Sequence, residues 1–235
     1  MKKKLLLHSC CAPCSIYVLQ QLMSEWQVTV YFYDPNIHPR AEYIQRRDEM
    51  KGYAKKLKIT FIEGPYDTFN WIQKTRGLEK EPEKGARCEV CFDKRFSTSA
   101  EKALSLGEKK ITTTLLVSPL KSQEQLKRVG DAFYEKNGVE FIAVDYRSDG
   151  GSQDQSRVTK EEQLYRQDYC GCIFGLTMQR DSQDKLMDEM FSPITGAILP
   201  ASIEERIEMY TYRNELEDKD IDYKIIKQKF LNYRQ

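Results

Sequence analysis

From Lys3 to Val144 the chain alternates short runs suited to strands with longer runs suited to helices, and this alternation limits its fold more than any other feature. Lys3–His8 is a compact leucine run and reads as a first strand. Val28–Tyr33, β-branched and aromatic, reads as a second, and Ile59–Ile62, Ile111–Val117 and Glu140–Val144 as the third to fifth. Between them Ser15–Met23, Ala41–Leu57, Cys88–Leu106 and Gln123–Asn137 carry helical patterns, and residues 64–87 are irregular with one short helix around Phe69–Lys74. Strands that alternate with helices form a parallel sheet covered on both faces, joined by right-handed crossovers. The expected architecture over residues 1–176 is an open parallel, Rossmann-like α/β sheet with helices on both faces. Asp145–Lys160 reads as a polar loop around Gly150-Gly151, suited equally to a lid over a site or to a plain connection. From Leu176 onward nine Lys/Arg stand against twelve Asp/Glu, a net of −3, and strands become hard to see. Ile203–Leu216 and Tyr223–Tyr233 read as helices, so residues 177–235 are expected to form a helical C-terminal extension.

The cysteines carry the chemistry. All seven fall in three tight groups: Cys10-Cys11-Ala12-Pro13-Cys14, Cys88-Glu89-Val90-Cys91 and Cys170-Gly171-Cys172. Cysteines that only pack a core are scattered singly. The longest early apolar run, Leu5–Leu7, is too short for an export signal or a membrane span. The chain is therefore expected in the cytoplasm, off the membrane, where thiols stay reduced and clustered cysteines mean metal or redox chemistry. The formal net charge of +1 does not announce a nucleic-acid partner, although a local basic face is compatible with it.

The predicted topology places these groups. Open parallel sheets bind ligands outside the carboxyl ends of their strands. Cys10–Cys14 follows the first strand directly and opens the next helix, Asp34 follows the second strand, and Thr112–Thr114 end the fourth. Nucleotide-binding sheets place glycines in the first strand–helix turn so that phosphate can approach the backbone. This turn has no glycine; thiols occupy it. A helix N-terminus favours thiolate over thiol, and Arg87, Lys94 and Arg95 do the same for the second pair. Spacing alone admits a structural zinc, an iron–sulfur cluster or a dithiol. A chain with this much core does not need zinc to fold, and adjacent Cys10 and Cys11 suit different irons of a larger cluster. Five cysteines against four ligand places leave one thiol over, read here as Cys14, for a second metal or for chemistry. Cys170 and Cys172, separated by one glycine, read as a redox dithiol in preference to a metal-ligand pair or two inert thiols, because a bridge between them would be strained and easily reduced.

Five segments also resemble a known family. They are Leu-Leu-Leu-His-Ser-Cys-Cys-Ala-Pro-Cys-Ser (5–15), Tyr-Asp-Pro-Asn-Ile (33–37), Gly-Ala-Arg-Cys-Glu-Val-Cys-Phe (85–92), Thr-Thr-Thr-Leu-Leu-Val-Ser-Pro (112–119) and Leu-Tyr-Arg-Gln-Asp-Tyr-Cys-Gly-Cys (164–172). In this order they resemble the QueH family of epoxyqueuosine reductases, from about residue 5 to 175. Asp34 is a departure, since many members are expected to carry Asn before the proline. The resemblance implies a cobalamin-independent oxidoreductase that reductively removes the epoxide oxygen from epoxyqueuosine at the wobble position of tRNA. It implies a [4Fe-4S] cluster held by Cys10, Cys11, Cys88 and Cys91, and a redox disulfide between Cys170 and Cys172. The electron donor is left unidentified.

That chemistry consumes two electrons and two protons and releases water. A Lewis-acidic iron beside the cluster would weaken the epoxide C–O bond, and Cys14 and Asp34 are the topologically nearest ligands for such an additional iron ion. His8 and Tyr33 are candidate proton donors, although a strand-end His8 satisfied by the backbone is the plainer reading. Phosphate contacts are sought at Arg40, Arg46, Arg47 and Lys51, at Lys94 and Arg95, and at Lys121, Lys127 and Arg128. Tyr43, Tyr165 and Tyr169 are candidates to stack on a splayed base. Each basic group taken alone reads more readily as a solvated helix face. Two rival functions stand beside this one, a zinc-stabilised RNA-binding module and a general thiol–disulfide oxidoreductase built on Cys170 and Cys172.

Overall fold

The computed structural model describes residues 2–38, 40–148, 150–167, 169–172 and 174. The predicted C-terminal helices lie outside these residues. Five parallel strands, β1 (Lys3–His8), β2 (Trp26–Phe32), β3 (Thr60–Glu63), β4 (Lys110–Thr113) and β5 (Glu140–Phe141), form one sheet in the order β3-β2-β1-β4-β5. Among the described residues six α-helices accompany them: α1 (Ala12–Leu22), α2 (Arg40–Leu57), α3 (Thr68–Thr75), α4 (Ala86–Ser105), α5 (Gln123–Asn137) and α6 (Gly151–Glu161). This is the α/β architecture expected from the alternation.

β1 sits at the centre because it can be buried on both faces. Leu5, Leu6 and Leu7 are fully buried, each contributing about 1.5–3 kcal/mol of hydrophobic stabilisation. It pairs with β2 from Lys3↔Trp26 to His8↔Tyr31, and with β4 from Leu6↔Ile111 to His8↔Thr113. On one side α1 packs against α2 and α6; on the other α4 packs against α5, β1 and β4. After β3 the chain reverses direction and crosses back to place β4 beside β1. The carboxyl ends of β1 and β4 therefore flank the point where strand order reverses, the usual ligand crevice of such sheets. Crossover helices run back against the strands, so the starts of α1 and α4, with their cysteines, lie at this same edge.

Three local differences from the sequence reading stand out. β4 stops at Thr113, and Thr114–Val117 form a 3₁₀ turn, because the Thr113 side chain accepts the Leu115 N–H at 3.2 Å and bends the chain out of the ladder. β5 is two residues long, although Ile142 N–H still bonds to Ile111 O. The stretch read as a polar loop contains α6, which buries only Gly151, Val158 and Thr159. No helix among the described residues is long and apolar enough to cross a membrane.

Candidate metal centre

The first thiols stand where β1 becomes α1. Cys11 is the extended N-cap of α1, and Pro13 occupies the first turn, where its missing N–H costs nothing. Ser15 Oγ donates to Cys11 O at 2.6 Å and lies 2.6 Å from Ser9 Oγ, tying the turn to its helix. Across the strand reversal, Thr114 Oγ1 accepts the Cys10 N–H at 3.4 Å and lies 3.7 Å from Cys10 Sγ. The sulfurs of Cys10, Cys11 and Cys14 lie within 4.8 Å of one another, close enough for a shared metal site.

The three thiols do not ionise alike. The neighbouring Cys11 and Cys14 thiols, aided by Arg95 and Arg46, hold Cys10 well below the usual thiol range. The hydrogen bond to Cys10, together with burial, pushes Cys11 and Cys14 upward, so Cys10 is the thiol of the three that ionises first. A bound metal would supply positive charge that favours release of the remaining protons.

The second pair enters from the first two turns of α4. Cys88 Sγ accepts the Lys84 N–H at 3.3 Å. Burial, more than the helix start, governs both thiols and raises them, while Lys121 opposes it at Cys88 and Arg95 at Cys91. Arg87 acts as a local staple, donating from Nη1 to the carbonyls of Leu78, Glu79 and Glu81 at 3.1, 2.8 and 2.6 Å. Lys94 turns to Asp67 at 2.9 Å.

The third pair arrives on irregular backbone after α6. Arg46, buried in α2, donates to Tyr169 O at 3.0 Å and Cys170 O at 3.5 Å, and its guanidinium lies 5.3 Å from the Tyr169 ring centroid. Gly171 accepts the His38 N–H at 2.8 Å. Its φ of +100° admits only glycine, and any Cβ on it would meet Ile37 Cγ1 at 2.7 Å. Cys170 is held down at about 5 by a hydrogen bond from Cys172, with help from Lys121, while Cys172 is pushed well up by the same bond and by burial. Lys121 is itself buried and paired with Glu83 at 2.8 Å. All seven cysteines are free thiols.

One cavity of about 340 Å³ gathers these groups: Cys10, Cys14, Cys88, Cys91, Cys170 and Cys172 all line it. Cys11 Sγ is 3.8 Å from Cys10 Sγ. Arg46, Arg87, Arg95 and Lys121 line it too, giving positive surroundings suited to an anionic thiolate assembly. The soft donor set, the close sulfurs and a cavity of ligand size fit an iron–sulfur cluster.

Asp34 does not line this cavity. Its Oδ1 is ion-paired with Arg95, and its buried Oδ2 has no hydrogen-bond partner among the described residues. Arg95 Nε also donates to His8 Nε2 at 3.3 Å, and the His8 ring lies 3.2 Å from Tyr33 O through Nε2 and 2.7 Å from Thr113 Oγ1 through Nδ1. His8 and Tyr33 are buried, and neither lines the cavity. Of the expected phosphate contacts, Arg46, Lys94, Arg95 and Lys121 are buried and engaged inside the fold. Arg47, Lys127 and Arg128 pair with surface carboxylates. Tyr43 and Tyr169 are buried, which leaves Tyr165 as the exposed aromatic of the three. Sequence reading placed Thr114 at this edge without a role and did not single out Gln167; both touch the first thiols through polar side chains from distant parts of the chain.

Fold and site together define a thiol-centred α/β protein, with sulfur placed where related sheets place phosphate-binding glycines. The family model described as epoxyqueuosine reductase QueH matches residues 5–178. The chain belongs to this family. It is 38% identical over 216 residues to the epoxyqueuosine reductase QueH of Helicobacter pylori, covering 88% of this chain and 58% of that protein. It is 44% identical over 181 residues to the Haemophilus influenzae protein of that name (76% of this chain, 73% of that protein). It is 43% identical over 175 residues to that of Histophilus somni (74% and 72%). The chain thus spans less than two thirds of the Helicobacter relative's length.

Proposed function

We propose that this chain is an epoxyqueuosine reductase, which removes the epoxide oxygen of epoxyqueuosine at the wobble position of tRNA and leaves queuosine. The observation that carries the reading is the convergence of all three cysteine groups at the strand reversal. Cys10, Cys11, Cys88 and Cys91 would hold a [4Fe-4S] cluster, which supplies single-electron transfer when bound. Cys14, at the cavity wall, would hold an additional iron ion, and Asp34, paired with Arg95 and off the cavity lining, would join it only by turning away from that pair.

The remaining pair closes the balance. Opening the epoxide to an alkene and water takes two electrons and two protons. Oxidising the Cys170 thiolate and Cys172 thiol to their disulfide releases two electrons and one proton, and solvent supplies the second proton. Cys170 is the thiolate of the pair at neutral pH, and Cys172 keeps its proton. A donor, not yet identified, would then return the disulfide to the dithiol. Arg46 and the His38 N–H keep the pair at the cavity, and Gly171 permits the sharp turn between them. In the cytoplasm, where this role belongs, the dithiol state is the resting one.

The test is single-turnover conversion of epoxyqueuosine-tRNA by anaerobically reconstituted protein, with iron, sulfide and zinc measured on the same sample. Queuosine-tRNA formed in proportion to loaded protein supports the reading. Colourless protein with stoichiometric zinc and no conversion sinks it in favour of an RNA-binding module.

A further inference from the structure

We infer that the Gln167 side chain donates hydrogen bonds to the sulfur ligands of the metal centre and raises the reduction potential of the group bound there. The inference rests on the iron–sulfur reading above. Gln167 lines the cavity and lies in the irregular segment between α6 and Cys170. Its Nε2 reaches Cys11 Sγ at 3.1 Å and Cys14 Sγ at 3.7 Å, more than 150 residues away in the chain. Its Oε1 is buried with no partner among the described residues.

That orphaned oxygen bears on how the amide is oriented. Which end of an amide is nitrogen is assigned from the bonds around it. Turned over, Gln167 would bury two N–H donors without acceptors and set a carbonyl against two sulfurs. Metal-bound thiolates accept hydrogen bonds and donate none, so the observed orientation suits sulfur in its ligand state. The segment is anchored just beyond, where Arg46 holds the Tyr169 and Cys170 carbonyls. An N–H aimed at sulfur draws electron density from it, which stabilises the reduced form of a cluster and moves its potential upward. Gln167 is therefore a positioning residue that tunes the ligands rather than touching substrate.

The experiment compares wild type, Gln167→Met and Gln167→Glu. Met has similar length and no donor; Glu has the same shape, no N–H and added negative charge. Anaerobically reconstituted proteins are titrated redox-wise by electron paramagnetic resonance, with iron and sulfide measured on each. Expected are wild-type loading in both variants and midpoint potentials more negative than wild type, lowest for Glu. An unchanged potential in Gln167→Met overturns the inference, as does lost iron with an unchanged potential in the loaded fraction, which marks a purely structural role. Should wild type take up no iron and sulfide, the functional reading fails, and Co(II) bound to the thiols tests Gln167 instead. Its sulfur-to-cobalt absorption band moves to longer wavelength in Gln167→Met if the inference holds; an unmoved band overturns it.

Discussion

Cys10, Cys11 and Cys14 stand on the end of a central strand and the start of a helix, whereas Cys170 and Cys172 stand on irregular backbone. The first group is positioned by regular elements and by neighbours such as Ser15 and Thr114. The second is positioned from outside, by one buried guanidinium and one backbone N–H. A metal site needs sulfurs fixed to within fractions of an ångström. A dithiol that cycles through a disulfide needs sulfurs that can shift. The two modes of support match the two tasks proposed for them.

The largest effect is expected from Cys10→Ala. Losing the sulfur that carries the anion should abolish metal loading and cut turnover by more than about 100-fold, beyond what loss of a mere supporting contact does. Iron and sulfide analysis with single-turnover assay checks it, and full loading would break the division of tasks. Cys170→Ser should also abolish turnover while leaving iron and sulfide at wild-type levels. Loss of metal in that variant would merge the two regions into one site.

A smaller, pH-dependent effect separates the pairs in metal-free protein. Thiolate reacts and thiol does not, and Cys170 is held down at about 5. Its alkylation should therefore fall off only as pH drops through about 5 and stay level above that point. An ordinary cysteine would keep gaining rate up to about 8.5. Peptide mapping of alkylated protein across pH reads this directly, and a Cys170 rate still climbing above neutral pH contradicts it.

The smallest effect is expected from Gly171→Ala. The positive φ and the approach to Ile37 predict about 1–3 kcal/mol of lost stability, seen as a lower melting temperature, with slowed turnover from displaced sulfurs. An unshifted melting curve would mean that the loop yields freely and that Arg46 does not hold it.

The strand–helix order was legible because β1 to β4 carry residue types that suit a doubly covered sheet, and most helix bounds fell within a few residues of those observed. α6 was missed because its sequence, Gly-Ser-Gln-Asp-Gln-Ser-Arg-Val-Thr-Lys-Glu, is polar almost throughout. It is helical through packing on α1, to which Gln155 also donates at Pro13 O, and no local pattern reveals that contact. Arg46 looked like one more charge on a helix face, because burial of a cation depends on groups more than 120 residues away.

By itself the sequence determined the parallel sheet, the three cysteine groups and the resemblance to the family, since periodicity and spacing are properties of neighbouring residues. Strand order, with β4 returning to lie beside β1, was decided only in three dimensions. That return brings the starts of α1 and α4 to one edge and makes a single cavity of cysteines up to 162 positions apart (172 − 10). The tertiary structure also decided which cations face sulfur and which amide meets Cys11 and Cys14, because desolvation and hydrogen bonding act between groups that the linear chain keeps far apart.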